Sequence, residues 1–137
     1  MKTLLDRSIP LSSGKVEIVD GYCRHPARSG RKEGKIALLS VCGFHELDTF
    51  NSLIQHVQAI AKNEHREYIG AILRPYAWAI PHAEQFGVKI DDIVEAVVEA
   101  GVQLATTGTL KQETLDIISK DVIPKEIVAK VITSQFE

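Results

Sequence analysis

Two cysteines and a single methionine stand in 137 residues, and only 6% of the chain is aromatic. Two cysteines in a chain of this size do not make a disulfide framework, so a reduced, cytoplasmic setting is the expectation. Long hydrophobic runs are missing too. No stretch approaches the roughly 20 apolar residues needed to span a bilayer, which argues against a membrane role. The N-terminal run Met1-Lys2-Thr3-Leu4-Leu5-Asp6 lacks the charged-then-apolar pattern of a secretory signal. A basic surplus is also absent: 16 Lys and Arg against 18 Asp and Glu leave a net charge of −2. That balance argues against nucleic acid as a partner. No G-x-S-x-G elbow occurs, which counts against a hydrolase. There is no internal repeat and no low-complexity tract.

What is present is a core-forming content of 45% hydrophobic residues in a chain one domain long. The apolar block Ile36-Ala37-Leu38-Leu39-Ser40-Val41-Cys42 is followed by Gly43-Phe44-His45-Glu46 and then by a long amphipathic segment. A second block, Tyr68-Ile69-Gly70-Ala71-Ile72-Leu73, comes next. Continuously apolar strands imply burial on both faces, as in a parallel sheet. The two strands, 36–42 and 68–74, with a helix between them form a βαβ unit. The fold class is therefore α/β. Leu47, Phe50, Leu53, Ile54, Val57, Ile60 and Ala61 give the intervening helix one buried stripe, with Asp48 or Thr49 as its cap.

Upstream, Lys2 to Ile9 reads as a helix with Leu4, Leu5 and Ile9 near one side, ended by Pro10. Lys15 to Val19 reads as a short strand and residues 20–34 as a basic loop. Tyr76 to Lys89 is irregular. Asp91 and Asp92 open a helix whose apolar side is Ile93, Val94, Val97, Val98, Gly101 and Leu104. Two shorter helices follow, Gln112 to Ser119 and Pro124 to Ser134, within a C-terminal helical extension over 106–137. Pro124 suits a first helical position. Two strong strands against so many helices make a small sheet, and small sheets are marginal alone. Either the helices pack on one another or another chain completes the sheet.

The order of these elements resembles a family. Met1 to Arg7, then Ala37-Leu38-Leu39-Ser40-Val41-Cys42-Gly43-Phe44, Phe50 to Asn63, Tyr68 to Pro75 and Ile90 to Leu104 resemble the later half of flavodoxin-like NAD(P)H-dependent FMN reductases. The stretch Asp20-Gly21-Tyr22-Cys23-Arg24-His25-Pro26 is similar to an insertion found in some of them. The resemblance covers about residues 1 to 105. It implies a partial flavodoxin-like domain over 1–137, lacking the strands and phosphate loop of an N-terminal half. It also implies FMN as cofactor, NAD(P)H as electron donor, and FMN contact by Ser40, Val41, Cys42, Gly43, Phe44 and His45. Hydride transfer asks little of protein acids and bases, because the cofactor carries that chemistry. A non-catalytic half-domain, working as a homo-oligomer or with a complementary N-terminal half chain, is the alternative.

Individual residues allow plainer readings. Gly43 serves a strand-to-helix turn as readily as a close approach to flavin. Cys23-x-His25 and Cys42-x-x-His45 carry zinc-type ligands, but Cys42 as a small buried hydrophobe and surface histidines explain them as well. The basic residues Arg24, His25, Arg28, Arg31, Lys32 and Lys35 suit a phosphate or simply solvent. His82 and Glu84, near Tyr76 and Trp78, offer an acid–base pair by sequence proximity alone. Tyr76, Trp78 and Phe86 read as a core edge or an interface.

Overall fold

A computed structural model describes residues 2–134 and Phe136, leaving Met1, Gln135 and Glu137 outside, together with the side chains of Lys2 and Leu4. The expectations that involve Met1 and Leu4 thus lie outside the described residues. The fold is α/β, with a two-stranded parallel sheet, flanking helices and a small antiparallel hairpin. In chain order the elements are α1 (Lys2–Ser8), β1 (Glu17–Val19), β2 (Tyr22–Arg24), β3 (Lys35–Val41), α2 (Asn51–Asn63), β4 (Glu67–Arg74), α3 (Asp91–Thr106), α4 (Gln112–Ser119) and α5 (Lys125–Thr133). Short 3₁₀ segments sit at Ile9–Leu11 and Leu47–Phe50, and a longer one at Ala77–Phe86. The sheet pairs β3 with β4, and the hairpin pairs β1 with β2. Two compact units result. One comprises residues 1–36 and 55–68, the other residues 37–54 and 69–137.

In the first unit, the span expected to be only a basic loop contains strand β2. Glu17 pairs with Arg24, Ile18 with Cys23 and Val19 with Tyr22. The turn between them is Asp20-Gly21, with φ of 53° and 79°. Two successive left-handed residues match the right-handed twist of a hairpin, and Asp-Gly supplies them readily. That dipeptide was the available signal. The end of α2 is tied to this unit by side chains. Ser8 Oγ donates to Glu64 Oε1 at 2.7 Å, and Arg31 pairs with Glu64 at 3.3 Å. Arg31 also donates to the Glu64 carbonyl oxygen, and His65 Nε2 lies 2.9 Å from the His25 carbonyl oxygen.

The second unit holds the larger core. Ile72 of β4 packs with Ala96 and Ala100 of α3 and Ile118 of α4. A neighbouring cluster joins Tyr76, Ala79 and Ala83 to Ile93, Val122, Ile123 and Val128. Gln103 links α3 to α4 from a buried position. Its Nε2 donates to Thr114 Oγ1 and Glu99 Oε1, each at 2.9 Å, and its Oε1 accepts the Lys111 N–H at 2.9 Å. Every polar atom of that buried amide is thereby satisfied. Pro124 stands at the position before α5 rather than in its first turn, a one-residue difference within the usual fraying of helix ends.

Three expectations about burial need correction: Leu47, expected in the stripe of α2, lies in the 3₁₀ turn before it and is exposed, and the others concern β3 and α3. β4 is covered on both faces, as a continuously apolar strand should be, but β3 is not. Ile36, Leu38 and Ser40 turn inward while Ala37, Leu39 and Val41 turn outward and are exposed. The period-2 alternation of a strand places one apolar set on each face, and only one set is covered. On α3 the buried face is Ile93, Ala96, Ala100 and Gln103. Val94, Val97 and Val98, expected inward, are exposed. Small alanines let the helix approach β4 and α4 closely, and that close approach outweighs the larger apolar area of the valines.

Gly70 lies inside β4 with φ of +121°, a region closed to L side chains, and an added Cβ would meet Leu110 Cδ1 at 3.4 Å. Gly70→Ala should therefore lower unfolding stability by about 1–3 kcal/mol, chiefly through backbone strain. A denaturant titration of the variant that matched the parent would exclude that strain.

Candidate functional site

The second unit presents the carboxyl ends of both parallel strands, where open α/β sheets bind ligands. Residues 42–46 lead from β3 toward α2, and backbone hydrogen bonds fasten them to the segment after β4. The Cys42 N–H donates to the Arg74 carbonyl at 3.2 Å, the Ala77 N–H to Cys42 at 2.9 Å, and the Tyr76 N–H to Phe44 at 2.7 Å. These three bonds extend the pairing of the two strands past their ends. They also satisfy backbone groups that a bare loop would leave open.

Of the six residues expected at a cofactor, Ser40 and Val41 close β3, with Ser40 half-buried and Val41 exposed. Cys42 is half-buried, and its thiol donates to the Phe44 carbonyl at 3.3 Å. Gly43 has open space where a Cβ would stand. Phe44 is 66% exposed. His45 is half-buried and stacks on Tyr76 with ring centroids 3.9 Å apart and planes 20° from parallel. Its Nε2 lies 3.4 Å from the Ile123 carbonyl oxygen.

Tyr76 carries a role that composition did not reveal. It is buried, and it adopts the left-handed conformation with φ of 46° and ψ of 46°. A bulky residue there is strained and must be held by its surroundings. The stack on His45, the N–H bond to Phe44 and the apolar cluster around its ring supply the hold. From Tyr76 the aromatic surface continues outward. Trp78 lies 5.7 Å from Tyr76 and His82 lies 4.6 Å from Trp78, centroid to centroid. Trp78 is half exposed and Phe86 is also exposed, so of the three rings expected at a core edge or an interface one is buried and two are open. His82 meets the Trp78 ring rather than Glu84.

Arg74 closes β4 from a buried position, donating from Nη1 to the carbonyls of Ile118 and Lys120 at 2.7 Å each. Burial lowers the pKa of its guanidinium, and the charge of Asp121 opposes that shift. Among the described residues, no hydrogen bond joins His45, Tyr76, His82 or Glu84 to another titratable side chain. The His45–Tyr76 stack and the exposed Trp78 and Phe44 rings are surfaces on which a planar group can stack. Among the described residues no cluster of three or more His, Cys, Asp and Glu side chains could hold a metal ion. Likewise no helix is long and apolar enough to cross a membrane. Comparison with known proteins gives no matching family model, no matching curated protein and no matching solved structure.

Burial also raises the pKa of the Tyr76 hydroxyl, which has no hydrogen-bond partner. The folded state then keeps this proton more firmly than the unfolded chain. The stability it contributes is complete below pH 10, the ordinary tyrosine value, and is lost as pH rises through the folded value. Tyr76→Phe should therefore flatten the alkaline fall in thermal stability. At neutral pH it should match or exceed the parent by about 1 kcal/mol, since it removes an unpaired buried hydroxyl. A clear loss of melting temperature at pH 7 would show that the hydroxyl is satisfied after all.

Proposed function

We propose that this chain works by assembly: the exposed apolar face of β3 is an interface, and a second copy of the chain covers it. One observation carries the reading. Leu39 and Val41 are 72% and 62% exposed on the outward face of a strand whose inward face carries the buried Leu38. Apolar residues placed this way are a hazard unless another chain covers them. A twofold arrangement would lay the outward face of β3 against its counterpart and bury Leu39 and Val41 against their own equivalents. The exposed Val94, Val97 and Val98 of α3 border a separate apolar groove of about 290 Å³.

A second reading is that the assembled protein is an FMN-dependent NAD(P)H oxidoreductase of flavodoxin-like type. It is favoured by the exposed Phe44, the uncrowded Gly43 and the His45–Tyr76 stack at the strand ends. Ser40 to His45 would face the isoalloxazine ring, with NAD(P)H delivering hydride to it. Residues 42–46 bring neither arginine nor lysine to the phosphate of FMN, so in this reading a companion chain would complete the cradle. A reducing cytoplasm, where Cys23 and Cys42 stay as thiols, is the setting that suits both readings.

Light scattering of the full chain at micromolar concentration should report a dimer, and Leu39→Lys should convert it to monomer without loss of helical signal. A parent chain that is monomeric under those conditions ends the assembly reading. Titration with FMN tests the other reading separately. Quenched flavin fluorescence, weakened by Phe44→Ala, is expected, and an unaltered flavin spectrum at millimolar protein removes FMN from the account.

A further inference from the structure

The first unit contains its own cavity, of about 600 Å³, which the assembly reading does not use. Its lining includes the apolar Ile9 and Pro10 together with Ser12 and Ser13, and the Ser13 hydroxyl accepts the Lys15 N–H at 3.1 Å. Arg24 and Arg28 reach it from β2 and from the residues that follow. The size falls in the range of small-molecule sites, roughly 300–1,000 Å³, and exceeds what a lone oxyanion fills.

The electrostatics decide what would enter. The single carboxylate lining the cavity is Glu64. Its charge is already met by the ion pair with Arg31 and the Ser8 hydroxyl. Arg24 is held in place by neutral partners: it donates to Asn63 Oδ1 and lies 5.2 Å from the Tyr22 ring centroid. Among the described residues, the Arg28 side chain makes no hydrogen bond or ion pair. The backbone places it nonetheless, because the Arg28 N–H donates to Leu11 at 3.0 Å and the Ser13 N–H to Pro26 at 2.7 Å. One guanidinium is thus oriented and a second is unspent, and both residues line the same cavity as Ser12 and Ser13. Planar guanidinium groups bind phosphate in forked, charge-assisted hydrogen bonds.

We infer that this cavity binds a phosphorylated small molecule of nucleoside-monophosphate size, with the phosphate on Arg24 and Arg28 and the organic body against Ile9 and Pro10. The inference is independent of any flavin site and of the β3 interface. It narrows the basic segment to two residues, since Arg31 is committed to Glu64.

Calorimetric titration of the full chain with 5′-AMP, adenosine and inorganic phosphate provides the test. AMP should bind at least about tenfold more tightly than adenosine or phosphate, and Arg28→Ala should weaken AMP binding about tenfold or more. Arg28→Gln should do the same, and Lys32→Ala, which removes an equal charge outside the cavity, should leave it unchanged. Cys23 lines the cavity whereas Cys42 belongs to the other unit. AMP should therefore slow alkylation of Cys23, read by mass spectrometry, and leave Cys42 unaffected. Adenosine binding as well as AMP, phosphate binding as well as AMP, equal losses in Lys32→Ala and Arg28→Ala, or no binding at millimolar AMP would each overturn the assignment.

Discussion

The second unit depends on one buried cation. Arg74 ends β4, and its guanidinium donates to two carbonyls at the C-terminal end of α4, Ile118 and Lys120. Those carbonyls are the unsatisfied, partially negative end of a helix. A positive charge there needs no buried carboxylate, because backbone dipoles and the nearby Asp121 take its place. The same residue accepts the Cys42 N–H on its own carbonyl. Arg74 thus sets three things together: the end of the sheet, the position of α4, and the start of the loop that carries Gly43 and Phe44. A neutral side chain would leave two helix carbonyls and the strand end without a common anchor.

The left-handed Tyr76 follows from this anchor. With Arg74 and Pro75 committed to the core, the chain must turn sharply at the next residue to begin its 3₁₀ segment. A glycine would make that turn with no strain, but it would offer no ring to His45. The tyrosine accepts an unfavourable backbone conformation and in exchange provides a rigid aromatic floor under residues 42–46. Strain kept at the carboxyl end of a parallel sheet is a reason to look there for binding. The half-exposed Trp78 and the exposed Phe44 extend aromatic surface to solvent.

Much of this architecture was legible in the chain. The two strands, α2, the start of α3, and both short C-terminal helices follow from periodicity, acidic first turns and proline placement, each local to a few residues. What was not legible is what depends on partners distant in sequence. The inner face of α3 cannot be read from hydrophobicity, which favours the valines, because Ala96 and Ala100 are selected by how closely Ile72 and Ile118 approach. The outward face of β3 is as apolar as its inward face, so composition alone assigned burial to both. At the candidate site, Ser40 to His45 entered the reading only through the family resemblance, while Tyr76 as the stacking partner of His45 required the backbone angles of the fold. In the first unit the basic residues were visible, but the division of labour was not. Arg31 and Arg28 look alike in sequence, and only the position of Glu64 separates a paired guanidinium from a free one.

The two units therefore leave different things unsatisfied, and the difference limits what each can recruit. In the second unit the large apolar residues left exposed include Leu39 and Val41 on β3 and Val94, Val97 and Val98 on α3. Such surface is non-directional and gains free energy from any dry, complementary area, which is the property of a protein interface. In the first unit the unsatisfied element is the Arg28 guanidinium, in a cavity also lined by Arg24, which Asn63 and Tyr22 hold, and by Ser12 and Ser13. That element gains little from apolar contact and much from a geometrically matched anion. A protein partner would leave the arginines of the cavity unmatched unless it brought its own anion. A small phosphate ester would do nothing for the valines. The chain's two open requirements are chemically orthogonal, so each can be removed by substitution without satisfying or destroying the other.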